Sequence, residues 1–190
     1  MPRGRALVLI LVALLAACSM RSALNALTSE EDRAFAHQMV ERLRAGDSAW
    51  LEQRFHPDLW AQSGKQIGGV PELYPTAPGT TEIVGFNVSS SNVNGRRERS
   101  REFTLVTHGG GRWTTTFFRT ESTGGPDRVM AWRVTPSNSP PYELTMIESW
   151  DRVVPWIWAG LATVLIGFTV LIVWLVRRSR RKHDPLMGQR

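Results

Sequence analysis

One cysteine, Cys18, stands in the whole chain of 190 residues. Without a second thiol there is no intramolecular disulfide and no thiolate metal cluster. Histidine and tyrosine are also scarce, at four and two residues. The chain holds no His-x-x-x-His pair, nucleophile elbow or phosphate-binding glycine loop. Gly109-Gly110-Gly111 precedes a strand pattern rather than a helix, so it reads as a turn and not an anion cradle. No cofactor and no metal site is expected from these residues. The middle of the chain also lacks an excess of charge of either sign. Between Ser19 and Val153, 15 Lys and Arg face 16 Asp and Glu, a net charge near −1. The pI near 10.6 therefore belongs to the two ends, and a nucleic-acid partner is not expected.

Both ends are apolar, in different ways. Arg3 and Arg5 precede an apolar run from Ala6 to Ala17. That run is too short to cross a bilayer comfortably and has the layout of a secretory signal peptide. It closes on Leu15-Ala16-Ala17-Cys18, which resembles the lipobox of bacterial lipoproteins. The resemblance implies diacylglyceryl attachment to the Cys18 thiol, cleavage before Cys18, and fatty acylation (palmitate) there. The alternative is an uncleaved signal anchor. The second apolar run, Val154 to Val176, carries no charge over 23 residues. As a helix it spans roughly 34 Å, enough to cross a membrane. Trp156, Trp158 and Trp174 suit its interfaces, and the basic tail after Val176 suits the cytoplasmic side. Ser19 resembles the outer-membrane sorting residue of Gram-negative lipoproteins, but an inserted span is expected to keep the chain in the inner membrane.

The expected organisation is a signal peptide (1–17), a lipidated tether (18–27), a domain (28–136), a linker or juxtamembrane segment (137–153), a span (154–176) and a basic tail (177–190). Thr28 or Ser29 caps a helix whose first turn is acidic and whose apolar positions run Phe35, Ala36, Met39, Val40, Leu43. Gly46 ends it. Asp47 or Ser48 caps a second helix bearing Trp50, Leu51 and Phe55, and Asp58-Leu59-Trp60 adds a turn after Pro57. The stretch 64–79 is rich in Gly and Pro and reads as a loop, with Leu73-Tyr74 able to pack inward. Four strands follow, with alternating sets Val84/Phe86/Val88, Phe103/Leu105/Thr107, Trp113/Thr115/Phe117 and Met130/Trp132/Val134. Asn94-Gly95 and two Gly-rich segments turn between them. The fold class is α+β, with N-terminal helices on a curved four-stranded antiparallel sheet and one C-terminal transmembrane helix. Residues 142–153 form an extra strand or a juxtamembrane helix.

Arg44-Ala45-Gly46-Asp47, then Leu51 and Phe55-His56-Pro57-Asp58, resemble the first helical corner of the nuclear-transport-factor-2-like, or cystatin-like, cone superfamily. They are particularly similar to small exported members of unknown function. That family implies a cone with a hydrophobic cavity, which in some members is catalytic. Here His37, His56, His108, Asp47 and Asp58 each have a local structural role available, and no two share a spacing that demands a common site. The segment Arg96-Arg97-Glu98-Arg99-Ser100-Arg101-Glu102 reads as a solvated hairpin arm. Arg96, Arg97, Arg99 and Arg101 are its candidate contacts to phospholipid head groups or an acidic partner, which Arg112, Arg119 and Arg133 could extend. Ala159, Thr163 and Gly167 repeat every four residues in the span and could bring two copies together. The reading that follows is a non-catalytic binding or assembly module whose partners are membrane lipid and another membrane or periplasmic protein. The alternative is a small enzyme acting on an apolar ligand in the cone, with His108 or Asp47 as base.

Overall fold

The computed structural model describes residues 19–77, 79–93 and 96–182, so the signal peptide, Cys18, the Asn94-Gly95 turn and the end of the tail lie outside the described residues. The chain divides into two units, one of residues 20–149 and a second that includes 150–182. The elements are α1 (Met20–Leu27), α2 (Glu30–Ala45), α3 (Ser48–Arg54), α4 (Pro57–Ser63), a 3-10 segment (Gly64–Leu73), β1 (Thr80–Val93), β2 (Arg96–Gly109), β3 (Arg112–Ser122), β4 (Arg128–Ser137) and α5 (Tyr142–Lys182). The α+β class holds: helices come first, then an open antiparallel sheet in the order β1-β2-β3-β4, then a long apolar helix.

Capping sets the helical corner. The Ser29 hydroxyl accepts from the Asp32 N–H at 3.1 Å and donates to Asp32 Oδ2 at 2.8 Å. This pair ties the N-cap hydroxyl to both the backbone and the side chain of the third helical residue. Gly46 ends α2 at φ 64, in the left-handed region, where glycine avoids the Cβ clash. A Cβ there would also meet the Pro71 ring at 3.2 Å. Asp47 caps α3 by accepting from the Trp50 N–H at 3.1 Å, and Arg42 holds the same carboxylate at 2.7 Å.

The main core lies between α2–α4 and one face of the sheet. Met39, Leu43, Leu51, Phe55, Phe103, Leu105 and Phe118 are all at most 1% exposed. Phe103 stacks on Phe118 with centroids 4.8 Å apart, and Phe35 packs edge-on to both. On β3 the inward residues are Thr114, Thr116, Phe118 and Thr120, the opposite face from the expected Trp113/Thr115/Phe117 set. Register explains it: Phe118 lies between Phe103 and Trp132, and Thr116 between Leu105 and Val134. Two of the inward threonines, Thr114 and Thr116, have partners in the segment beneath the sheet. Thr114 donates to the Leu73 carbonyl at 2.6 Å, and the Tyr74 hydroxyl meets Thr116 Oγ1 at 2.6 Å.

That segment is not the expected loop. Gly64–Leu73 winds as a 3-10 helix, sinking Ile67 and Val70 into the core just ahead of Tyr74. Both edge strands carry a bulge, at Val84 in β1 and at Met130 in β4. The first puts Ile83 and Phe86 on the main core and Val84 on the opposite face. The second lets Val129 and Trp132 both join the main core. A bulge shifts the period by one, so uninterrupted alternation mis-assigns faces there.

A smaller cluster covers the other sheet face. Val84, Val106 and Ile147 are buried, with Met20, Leu24, Trp113 and Leu144 packed against them. The expected tether is therefore mostly helix, since α1 lays Met20 and Leu24 on the sheet. Residues 142–153 are helical, and Tyr142–Ser149 belongs to the first unit. In the second unit α5 is long and apolar enough to cross a membrane, with its large hydrophobic side chains exposed. Arg178 lies over the Trp174 ring, 5.1 Å from its centroid.

Tyr74 is 1% exposed, and burial pushes its phenol up to about 12, against smaller opposing effects of the Thr116 hydrogen bond and Arg44. A raised folded-state pKa favours the protonated form. The contribution of Tyr74 to stability is thus constant below pH 10 and falls as pH rises from about 10 to about 12. Two pK units correspond to roughly 2–3 kcal/mol. Urea titrations at pH 9 and pH 11.5 should show that loss in the natural chain and little of it in Tyr74→Phe, which has no phenol to ionise.

Candidate functional site

The basic arm splits in the structure. On β2 the residues of one face alternate, so Arg101 shares the core-facing side with Phe103 and Leu105. Its side chain is 10% exposed and bridges two carboxylates, Asp32 of α2 through Nη1 and Asp127 through Nη2. Arg101 is therefore not available to head groups or an acidic partner, which corrects its place in the expected contact set. Arg99 is exposed, facing Ser90 and Ser122 across the ladders. Arg96 and Arg97 lie on β2, but their side chains are outside the described residues. Arg112 and Arg133 are exposed, and Arg119 pairs with Glu121 at 3.3 Å.

An open groove of about 740 Å³ lies between α4, the 3-10 segment and β4. Leu59, Val70, Leu73 and Trp132 give it an apolar lining, while Gln62 and Arg133 add polar groups. One wall is fixed by a relay. The Trp132 indole N–H donates to Ser63 Oγ at 3.1 Å, and Ser63 donates to the Leu59 carbonyl at 2.7 Å. Of these residues the sequence points only to Arg133, as an extension of the basic arm. The helical turn at Asp58-Leu59-Trp60 and the alternation of β4 were visible, but their meeting across 70 positions was not.

The candidate bases lie elsewhere. His56 caps α4, its Nδ1 accepting from the Asp58 N–H at 3.4 Å. His37 is half-buried on α2. His108 is exposed and stacks on Trp113 with ring centroids 4.5 Å apart. It lines a second, smaller cleft of about 190 Å³ on the sheet face opposite the main core. Arg21, Glu82 and Glu148 share that cleft, where Arg21 and Glu82 pair at 3.1 Å. Asp47 is occupied by its cap and by Arg42. The structure brings His108 and Asp47 neither to each other nor to the larger groove. Among the described residues no three His, Cys, Asp or Glu side chains group as metal ligands. The chemistry open to the groove is recognition by apolar contact, amide hydrogen bonding and one positive charge. The chain matches no family model, no curated protein and no solved structure.

Proposed function

We propose that this chain is a membrane-tethered binding or assembly module of a bacterial cell envelope, acting without catalysis. The observation that carries the reading is the form of the groove beside β4. It is open, lies along a sheet edge and mixes apolar with polar lining groups, beside a core packed with aromatic side chains. Such a surface suits a protein segment better than a small reacting molecule. The cone-like resemblance of the helical corner fits a family whose scaffold hosts many functions.

In this proposal α5 spans the inner membrane, with residues 28–136 on the periplasmic side and the basic tail in the cytoplasm. A lipid on Cys18 is the second anchor. Met20, two residues on, begins a helix packed on the sheet, so the lipid holds the module close to the bilayer. Arg99 then serves head groups or an acidic partner, together with Arg96 and Arg97. Confinement beside one bilayer raises the effective concentration of any membrane partner. A second copy could pack along Ala159, Thr163 and Gly167. The Thr163 hydroxyl already donates to the Ala159 carbonyl at 2.8 Å, so that contact would rest on shape.

Crosslinking in native membranes, followed by purification under denaturing conditions and mass spectrometry, tests the reading. The expected result is one membrane or envelope protein recovered in near-stoichiometric amount, or a self-adduct at twice the mass. Recovery of the chain alone across several crosslinker lengths contradicts it.

A further inference from the structure

We infer that the outer edge of β4 accepts an extended peptide segment of a partner protein as an added strand, with an acidic residue of that segment against Arg133. The inference rests on the binding-module reading and gives it a site and a chemistry.

β4 is the last strand of the sheet. Its outer edge already takes one pairing from the chain itself. Phe55 bridges Val129 in parallel, and the His56 N–H donates to the Val129 carbonyl at 2.9 Å. Pro57 then starts α4 and carries the chain away from the edge. Further along, Pro136 has no N–H to offer. Between these limits lies a window from Ala131 to Thr135. Among the described residues, no backbone group from outside the sheet bonds to it. Natural sheets blunt exposed edges with bulges and prolines. Here the bulge at Met130 and the proline at 136 bracket the window and leave it uninterrupted.

The groove runs beside this window. Alternate side chains of an extended strand point the same way, so every second residue of a guest strand would meet Leu59, Leu73 or Trp132. Arg133 is exposed and, among the described residues, is the one charged side chain lining the groove. That favours a guest with a carboxylate at a position between its apolar residues. Main-chain bonds supply affinity in this mode, and the side-chain sites supply selectivity. The β1 edge offers no equal: Asn87 to Asn92 is exposed, with Asn and Ser at five of its six positions, and no groove adjoins it among the recesses described.

The test uses the full chain in lipid nanodiscs and a library of nine-residue peptides, apolar at alternate positions and random between them. The expected result is enrichment of peptides carrying Asp or Glu, slowed amide hydrogen exchange within residues 131–135 on binding, and at least a tenfold loss of affinity in Arg133→Glu. Arg133 is exposed, so that variant should fold normally. No enrichment over empty nanodiscs, or protection confined to other strands, overturns the inference. The two readings fail separately. A partner captured in native membranes whose binding leaves β4 exchange unchanged removes the edge site and keeps the module. Peptide binding at β4 with no partner in membranes does the reverse.

Discussion

Arg101→Ala should lower the stability of the first unit by about 3–5 kcal/mol, the usual consequence of removing one member of a buried ion pair. The size follows from what is left behind. Asp32 has a side chain only 4% exposed, and its carboxylate would lose its cation while staying out of water. Asp32 also holds the Ser29 hydroxyl that caps α2, so the damage reaches the start of that helix. Asp127 is 33% exposed and can turn to solvent, so Asp127→Asn should cost no more than about 1 kcal/mol. Arg101→Lys should fall between these, because a single ammonium cannot reproduce the planar fork that serves both carboxylates. Replacing both members, Arg101→Met with Asp32→Asn, should recover more than half of the loss, since no unpaired buried charge remains. Thermal unfolding followed by circular dichroism gives the ranking directly. A drop of only a degree or two in Arg101→Ala would show that Arg101 sits in solvent after all.

Phe103→Ala should cost a similar amount, about 3–5 kcal/mol, by a different mechanism. Phe103 is fully buried and touches three other rings, Phe35, Phe86 and Phe118. Its removal leaves a cavity bounded by aromatic faces that rigid neighbours on β1 and β3 cannot close. Phe86 is only half-buried, so Phe86→Ala should cost roughly half as much, in line with the smaller area returned to water. A double-mutant cycle between Phe103 and Phe118 should show a coupling of about 0.5–1.5 kcal/mol from the stacked pair. Urea titration of the four proteins measures it. Additive losses would mean that the two rings contribute burial alone.

These two sites differ in how readily sequence reveals them. Ser29, Gly46 and Asp47 act on neighbours within a few positions, so the helical corner can be read locally and forms as expected. Phe103 and Leu105 follow from simple alternation. Arg101 obeys the same alternation, but six charges in seven positions, Arg96 to Glu102, make the segment look wholly solvated. The inward face of β3 is mostly threonine, and its burial depends on hydrogen-bond partners in Leu73 and Tyr74, some 40 positions away. No local rule selects that face over the one bearing Trp113 and Phe117. α1 is too short for its Met20–Leu24 spacing to stand out from a tether, and so short a helix depends on packing for its stability. The 3-10 segment contains Gly68, Gly69 and Pro71, which argue against an α-helix but not against the tighter one. The groove joins residues 59–73 to residues 130–134, and its open edge depends on strand order. Strand order is a property of the whole sheet.

The account turns on where the folded module sits relative to a lipid bilayer. Protease added to intact spheroplasts carrying a chain with an epitope at its C-terminus tests this most directly. The expected result is loss of residues 28–136 into small fragments, with a membrane-embedded, epitope-bearing remnant kept intact until the cells are lysed. A full-length chain that resists the protease in intact spheroplasts and is digested only after lysis would contradict the account, as would an epitope removed from the outside.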